Sequence, residues 1–87
     1  MIEFRSATTR RFRECLLRLP PDVRSQAIKQ YRLFRRDPYH PSLRFKPTSD
    51  HWSIRVNRDY RALAIREGNS LTWIWIGPHH EYDRILS

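Results

Sequence analysis

Hydrophobic positions divide the chain into a helical first half and a strand-rich second half. Met1–Arg5 alternates Ile2 and Phe4 with Glu3 and Arg5, which predicts a short strand. Ser6, Thr8 and Thr9 then offer an N-cap. From Arg10 to Leu19, the residues Phe12, Cys15, Leu16 and Leu19 follow the i, i+3, i+4, i+7 spacing of one helix face. Arg10, Arg11, Arg13, Glu14 and Arg18 take the other positions. Pro20 and Pro21 end this helix and open the next, where Asp22 complements the helix dipole. The second helix is expected over Asp22–Arg36. Its apolar stripe is Val23, Ala27, Tyr31 and Phe34, with Ile28 and Leu33 at the edges. Two helices joined by two prolines make an antiparallel hairpin.

Beyond the breaker-rich loop Asp37–Pro41 the period changes from helical to two. Leu43–Lys46 alternates and reads as a strand stopped by Pro47, and Thr48–Asp50 is a turn. His51–Val56 sets Trp52, Ile54 and Val56 on one face against Ser53 and Arg55 on the other. Asn57–Asp59 turns the chain, Tyr60–Arg66 is the next strand, and Glu67–Ser70 is a hairpin turn. Leu71–Ile76 is a continuous apolar run. It predicts a strand buried on both faces in the middle of the sheet, ended by Gly77 and Pro78. Glu81–Leu86 is a brief helix or an extended tail. The expected fold is α+β, with one domain over residues 1–87. Its N-terminal strand and two-helix hairpin pack on one face of a twisted, mainly antiparallel sheet of about four strands.

The junction after the last strand holds the concentrated chemistry. His79, His80, Glu81 and Tyr82 follow the turn directly, so a rigid strand delivers titratable groups to solvent. Charge adds a second signal. Net charge is +8, and of the 17 basic residues only Lys29 and Lys46 are lysines. Arginine favours bidentate phosphate contacts over diffuse attraction. Residues 1–46 hold 12 basic and 4 acidic groups, and residues 47–87 hold five of each. A polyanion or an acidic protein is the natural counterpart. Cys15 is the one cysteine, which excludes an internal disulfide and fits a reducing cytoplasm. No apolar run is long enough for a membrane span, and the start MIEFRSATTRR lacks the apolar region of a secretory signal. Cys/His ligand spacing, a P-loop and a Gly-rich phosphate motif are all missing from the sequence, so neither a metal nor a small-molecule cofactor is expected.

The strings Trp52-Ser53-Ile54-Arg55-Val56, Tyr60-Arg61-Ala62-Leu63 and Ile74-Trp75-Ile76-Gly77-Pro78-His79-His80-Glu81-Tyr82 resemble the RelE/ParE superfamily of bacterial toxins, across essentially the whole chain. The resemblance implies the toxin half of a type II toxin–antitoxin pair. RelE-like members cleave mRNA, mostly on the ribosome, by metal-independent transesterification; ParE-like members poison DNA gyrase. The ending Gly-Pro-His-His-Glu-Tyr is similar to the ribonuclease branch. It implies a cytoplasmic endoribonuclease that inhibits translation, with mRNA and a cognate antitoxin as partners. In that pattern Arg61 contacts the scissile phosphate and Arg55 is a basic residue on the face opposite the core. His79 takes the general-acid slot, and Tyr82 sits near the cleaved linkage. Lys46, Arg44, Arg66 and His80 are the positions expected to contact RNA. Ser53 departs from the pattern, standing where the most active RelE-type members carry lysine.

Such a cleavage needs a base for the 2′-OH, a proton donor for the 5′-oxygen, and cations for the phosphorane. His79, Arg55, Arg61 and Tyr82 supply the acid and the cations. His80, Glu81 and Lys46 remain alternatives for the base, with Asp50 and His51 as weaker ones. Each residue also has a plainer reading. A loop histidine usually faces water, Arg55 suits any half-exposed strand, Arg61 has Asp59 or Glu67 for a surface pair, and Tyr82 suits a core. Two rival functions follow: gyrase inhibition without catalysis, which does not need the Arg55, Arg61 and His79 set, and a homologue that binds RNA or antitoxin without cutting, which Ser53 favours.

Overall fold

A computed structural model describes residues 3–86. In chain order its elements are β1 (Arg5–Thr8), α1 (Arg10–Arg18), α2 (Pro21–Arg36), a 3-10 turn (Pro41–Leu43), β2 (Lys46–Thr48), β3 (His51–Arg55), β4 (Tyr60–Glu67), β5 (Ser70–Pro78) and α3 (His79–Leu86). Among the described residues the strands form one sheet in the order β1-β5-β4-β3-β2. Only the β1–β5 pair is parallel. The architecture is the expected α+β, with five strands rather than about four.

The start of α1 is fixed by Thr9. Its hydroxyl oxygen accepts from Phe12 N at 3.1 Å, as an N-cap does. That hydroxyl and the Thr9 N–H both donate to the Trp73 carbonyl, at 3.1 and 3.0 Å, which ties the helix to β5. At the other end of α1, Arg24 Nη2 donates to the Leu17 and Leu19 carbonyls. The hairpin buries Leu19, Val23, Ala27 and Phe34 on the sheet face that carries Ile54, Ala62, Ala64, Leu71, Trp73 and Ile76. Trp73 is the largest fully buried side chain, and its Nε1 donates to Ser6 Oγ, as does the Tyr31 hydroxyl.

The strand over Met1–Arg5 is displaced. Met1 and Ile2 lie outside the described residues, and the strand itself is the polar Arg5–Thr8. An exposed edge needs no apolar alternation, and β1 is held by parallel pairing with Ser70–Trp73 instead. The strand over Leu43–Lys46 is also corrected. Leu43 closes the 3-10 turn, which the His40 side chain caps, and Arg44 is left-handed at φ 47°. Leu43 and Phe45 are both buried, so the alternation is real, but the end of the 3-10 turn and the left-handed Arg44 produce it. Pro47 does not stop that strand but lies inside β2, the other edge of the sheet, where a missing N–H need not break a ladder. Gly77 and Pro78 likewise belong to β5. Beyond Trp73 that strand pairs only with β4, so Pro78 is tolerated, and α3 starts immediately after it.

A bulge in β5 decides what the second face looks like. Leu63 pairs with Trp75 and Ala64 with Trp73, which leaves Ile74 as the extra residue. Trp73 therefore points at the hairpin, while Trp75 turns to the opposite face. There it forms a small second core with Leu63 and Tyr82 of α3. This is why the run from Trp73 to Ile76 is apolar without a break. Among the described residues, no helix is long and apolar enough to cross a membrane.

Candidate functional site

The second face is polar where α3 does not cover it. Period-two geometry sets Lys46, Ser53, Arg55 and Arg61 on this face, because the register pairs Lys46 with Ser53, Ser53 with Leu63, Arg55 with Arg61 and Arg61 with Gly77. With Arg44 from the left-handed corner, and His79 and Tyr82 from α3, they line a cavity of about 230 Å³. Arg55 and Arg61 are direct cross-strand partners. Like charges so placed are destabilising and need a reason outside folding.

Arg61 carries most of that strain. Burial, and after it the charge of Arg55, hold its guanidinium below the usual arginine value; Arg44 acts in the same direction, while Tyr82 and Asp59 oppose it. Nη1 donates to the Asn57 carbonyl at 2.7 Å and to the Tyr60 carbonyl at 2.9 Å, which locks the side chain against the β3–β4 turn. Among the described residues the other two guanidinium nitrogens make no hydrogen bond, so a locked fork faces the cavity with donors to spare.

The first turn of α3 closes the site. His79 N donates to the Asp59 carbonyl at 2.7 Å, which fixes where the helix begins. The His79 ring stands edge-on to Tyr82, centroids 5.5 Å apart, and its Nε2 lies 3.5 Å from Asp83 Oδ1. Both side chains of that pair are about half exposed or more, so the contact orients the ring more than it stabilises the fold. Tyr82 is buried, and its hydroxyl donates to Thr48 Oγ1 on β2 at 3.2 Å, so α3 is tied to the far edge strand. Two partly buried and two exposed cations, a half-exposed imidazole and a phenol around one cavity suit a phosphate flanked by a proton donor.

Six of the eight candidate residues come together here: His79, Arg61, Arg55, Tyr82, Lys46 and Arg44. Two do not. Arg66 is five residues from Arg61, an odd step along one strand, so it emerges on the hairpin face. There it stacks over Phe4 and Trp52 at 4.8 and 4.5 Å and donates from Nε to Gly68 O. His80 lines a separate open hollow with Asp59, Tyr60, Pro78, His79 and Asp83. Of the alternatives for a base, Lys46 lines the cavity, and Glu81 and Asp50 are exposed outside it. Sequence reading missed Thr48 and Asp83. Asp83 is four residues after His79, a spacing that becomes visible only once the helix is known to start at 79 and not 81. Among the described residues, no group of three His, Cys, Asp or Glu side chains is placed to hold a metal ion. A hollow of about 290 Å³ lies on the other face, between hairpin and sheet. It is lined mainly by apolar groups such as Phe12, Leu16, Ile28 and Val56.

The family model described as the ParE-like toxin domain matches residues 21–84. No curated protein sequence matches the chain significantly. Among solved structures, a mutant of the E. coli toxin RelE in the free state is 20% identical, over 95% of this chain and 90% of that one, with a TM-score of 0.65. The YoeB/ParE toxin from Agrobacterium tumefaciens is 16% identical over 87% and 99%, TM-score 0.65. The intact E. coli RelBE toxin–antitoxin complex contains a chain 17% identical over 86% and 95%, TM-score 0.63. At these identities the likeness is one of fold.

Proposed function

Given that the chain belongs to the ParE-like toxin domain family, a toxin group of RelE/ParE type, we propose that it is an endoribonuclease that cuts mRNA on the ribosome in the cytoplasm and is held in check by a cognate antitoxin. One observation carries this reading: Arg44, Arg55, Arg61 and Lys46 share a single cavity with His79 and Tyr82. A surface that only docks on a protein does not need a half-exposed histidine beside partly buried, mutually repelling arginines.

In the proposed reaction a ribose 2′-oxygen attacks the neighbouring phosphorus. The P–O5′ bond breaks, leaving a 2′,3′-cyclic phosphate and a 5′-hydroxyl. Arg61 and Arg55 hold the phosphate and neutralise charge as it grows on the equatorial oxygens. A preorganised donor of this kind contributes on the order of 10²–10³-fold. Protonated His79 gives its proton to the departing 5′-oxygen, worth roughly 10²–10⁴-fold. Tyr82 holds α3 and the His79 ring in place. The strongly basic first half of the chain suits an acidic antitoxin segment.

The test is a 5′-labelled mRNA incubated with purified protein and translating ribosomes, with the product ends identified chemically. Cyclic-phosphate ends that disappear with His79→Ala and Arg61→Ala support the reading; intact RNA sinks it. The ParE-like name of the matching family model favours a second reading, gyrase inhibition by binding alone. A supercoiling assay separates the two.

A further inference from the structure

Arg61 lies in β4 and His79 opens α3, yet the cleavage needs the two at a fixed separation. One turn holds both. From β3 into β4 the chain passes through Asn57, Arg58, Asp59 and Tyr60, and all four carbonyls of that stretch accept from these two residues. Arg61 Nη1 donates to the carbonyls of Asn57 and Tyr60 at 2.7 and 2.9 Å and, more distantly, to that of Arg58 at 3.4 Å. The Asp59 carbonyl accepts from the backbone N–H of His79 at 2.7 Å. A displacement of this turn therefore moves the guanidinium fork and the first residue of α3.

The turn has no glycine, and none of its residues is among those with positive φ. Its shape rests on the Asn57 side chain. Oδ1 accepts from Asp59 N at 2.8 Å and from Tyr60 N at 3.0 Å, the pattern by which an asparagine folds its own backbone into a turn. Nδ2 donates to Gln26 Oε1 on α2, so the turn is also anchored to the helical hairpin. One partly buried side chain thus joins the hairpin, the turn, Arg61 and α3, although it is not among the residues that line the cavity. We infer that Asn57 is a positioning residue for the cleavage, an assignment that rests on the ribonuclease reading above. It holds the turn to which both functional residues are bonded, and so fixes the phosphate-binding guanidinium of Arg61 relative to the proton donor His79. Asn57 itself takes no part in proton transfer or bond making.

The test compares Asn57→Ala and Asn57→Asp with wild type on mRNA in translating ribosomes. Asn57→Ala removes the turn bonds and the anchor to Gln26 but leaves every residue that lines the cavity. Its maximal cleavage rate should fall about 10–10²-fold while the half-saturating protein concentration stays within about 3-fold, because the cations remain but lose their fixed aim. Asn57→Asp keeps an oxygen at the Oδ1 position and with it the turn, so it should cleave within about 5-fold of wild type. Rates are read well below each variant's Tm, where a purely structural role would leave the maximal rate unchanged. Cleavage by Asn57→Ala within about 3-fold of wild type, or Asn57→Asp as slow as Asn57→Ala, would overturn the assignment and leave the ribonuclease reading standing. Wild-type protein that leaves mRNA whole defeats the ribonuclease reading and this assignment with it.

Discussion

Adding one methyl group at Gly77 should disrupt the packing behind the cavity, where Gly77 is the cross-strand partner of Arg61. An ideal Cβ built there lies 2.5 Å from Cζ2 of Trp75 and 3.1 Å from two further indole atoms. The obstacle is a rigid ring that is itself buried against Leu63 and Tyr82, so it has little freedom to move aside. Gly77 is not among the positive-φ residues, so backbone strain is not the cause. Overpacking of this kind costs about 1–3 kcal/mol. In a domain of this size each kcal/mol lowers Tm by roughly 4–8 °C. The assay is thermal melting of wild type, Gly77→Ala, Trp75→Leu and the double variant. Trp75→Leu alone should destabilise by less than the roughly 3–5 kcal/mol of a full Trp→Ala truncation. It removes the atoms that clash, so Gly77→Ala should be nearly neutral in that background. A coupling of about 1–3 kcal/mol is expected. Equal destabilisation by Gly77→Ala in both backgrounds, or a Tm within 1 °C of wild type for the single variant, would refute this packing argument. Arg61 is the cross-strand partner of Gly77, so the single variant should also lose RNA cleavage beyond its loss of stability.

Three further outcomes follow from named contacts. Thr9→Ala removes the N-cap of α1 and a bond to the Trp73 carbonyl, and should lower stability by about 1–2 kcal/mol in a denaturant melt; Thr9→Ser should retain most of it. Tyr82→Phe keeps the buried ring but loses the bond to Thr48; a loss of about 0.5–1.5 kcal/mol is expected, together with slower cleavage as α3 loosens. Arg61 has its value pushed down by burial and by Arg55, so its proton is held less tightly in the folded state than in the unfolded chain. An arginine keeps its proton in a protein, so between pH 5 and 9 its destabilising contribution stays constant. An anion relieves it instead. Phosphate at 10 mM, with an affinity on the order of 1 mM, should add about 1.4 kcal/mol at matched ionic strength, and Arg61→Met should abolish the effect.

Period-two alternation placed Ser53 and Arg55 opposite Trp52, Ile54 and Val56, and the register keeps them there. Helical spacing gave α1 and α2 to within a residue at each end. The resemblance, more than the spacing, singled out Arg61 and His79. What was not legible depends on contacts distant in sequence. The polar strand β1 exists because β5 is there to pair with it. The bulge at Ile74, which divides Trp73 and Trp75 between two cores, leaves no mark in an unbroken apolar run. Arg66 was grouped with the site, although its odd separation from Arg61 on one strand already assigns it to the other face. Thr48 is a turn residue by composition, and becomes part of the site only when Tyr82 reaches across to it.

The most direct test of the central claim is a cell-free translation reaction dosed with purified protein, with mRNA ends mapped by primer extension. The ribonuclease reading predicts new mRNA ends with wild type and their loss with His79→Ala and Arg61→Ala. Intact mRNA with unimpaired translation, alongside inhibited gyrase supercoiling, would contradict it and make this chain a binding toxin.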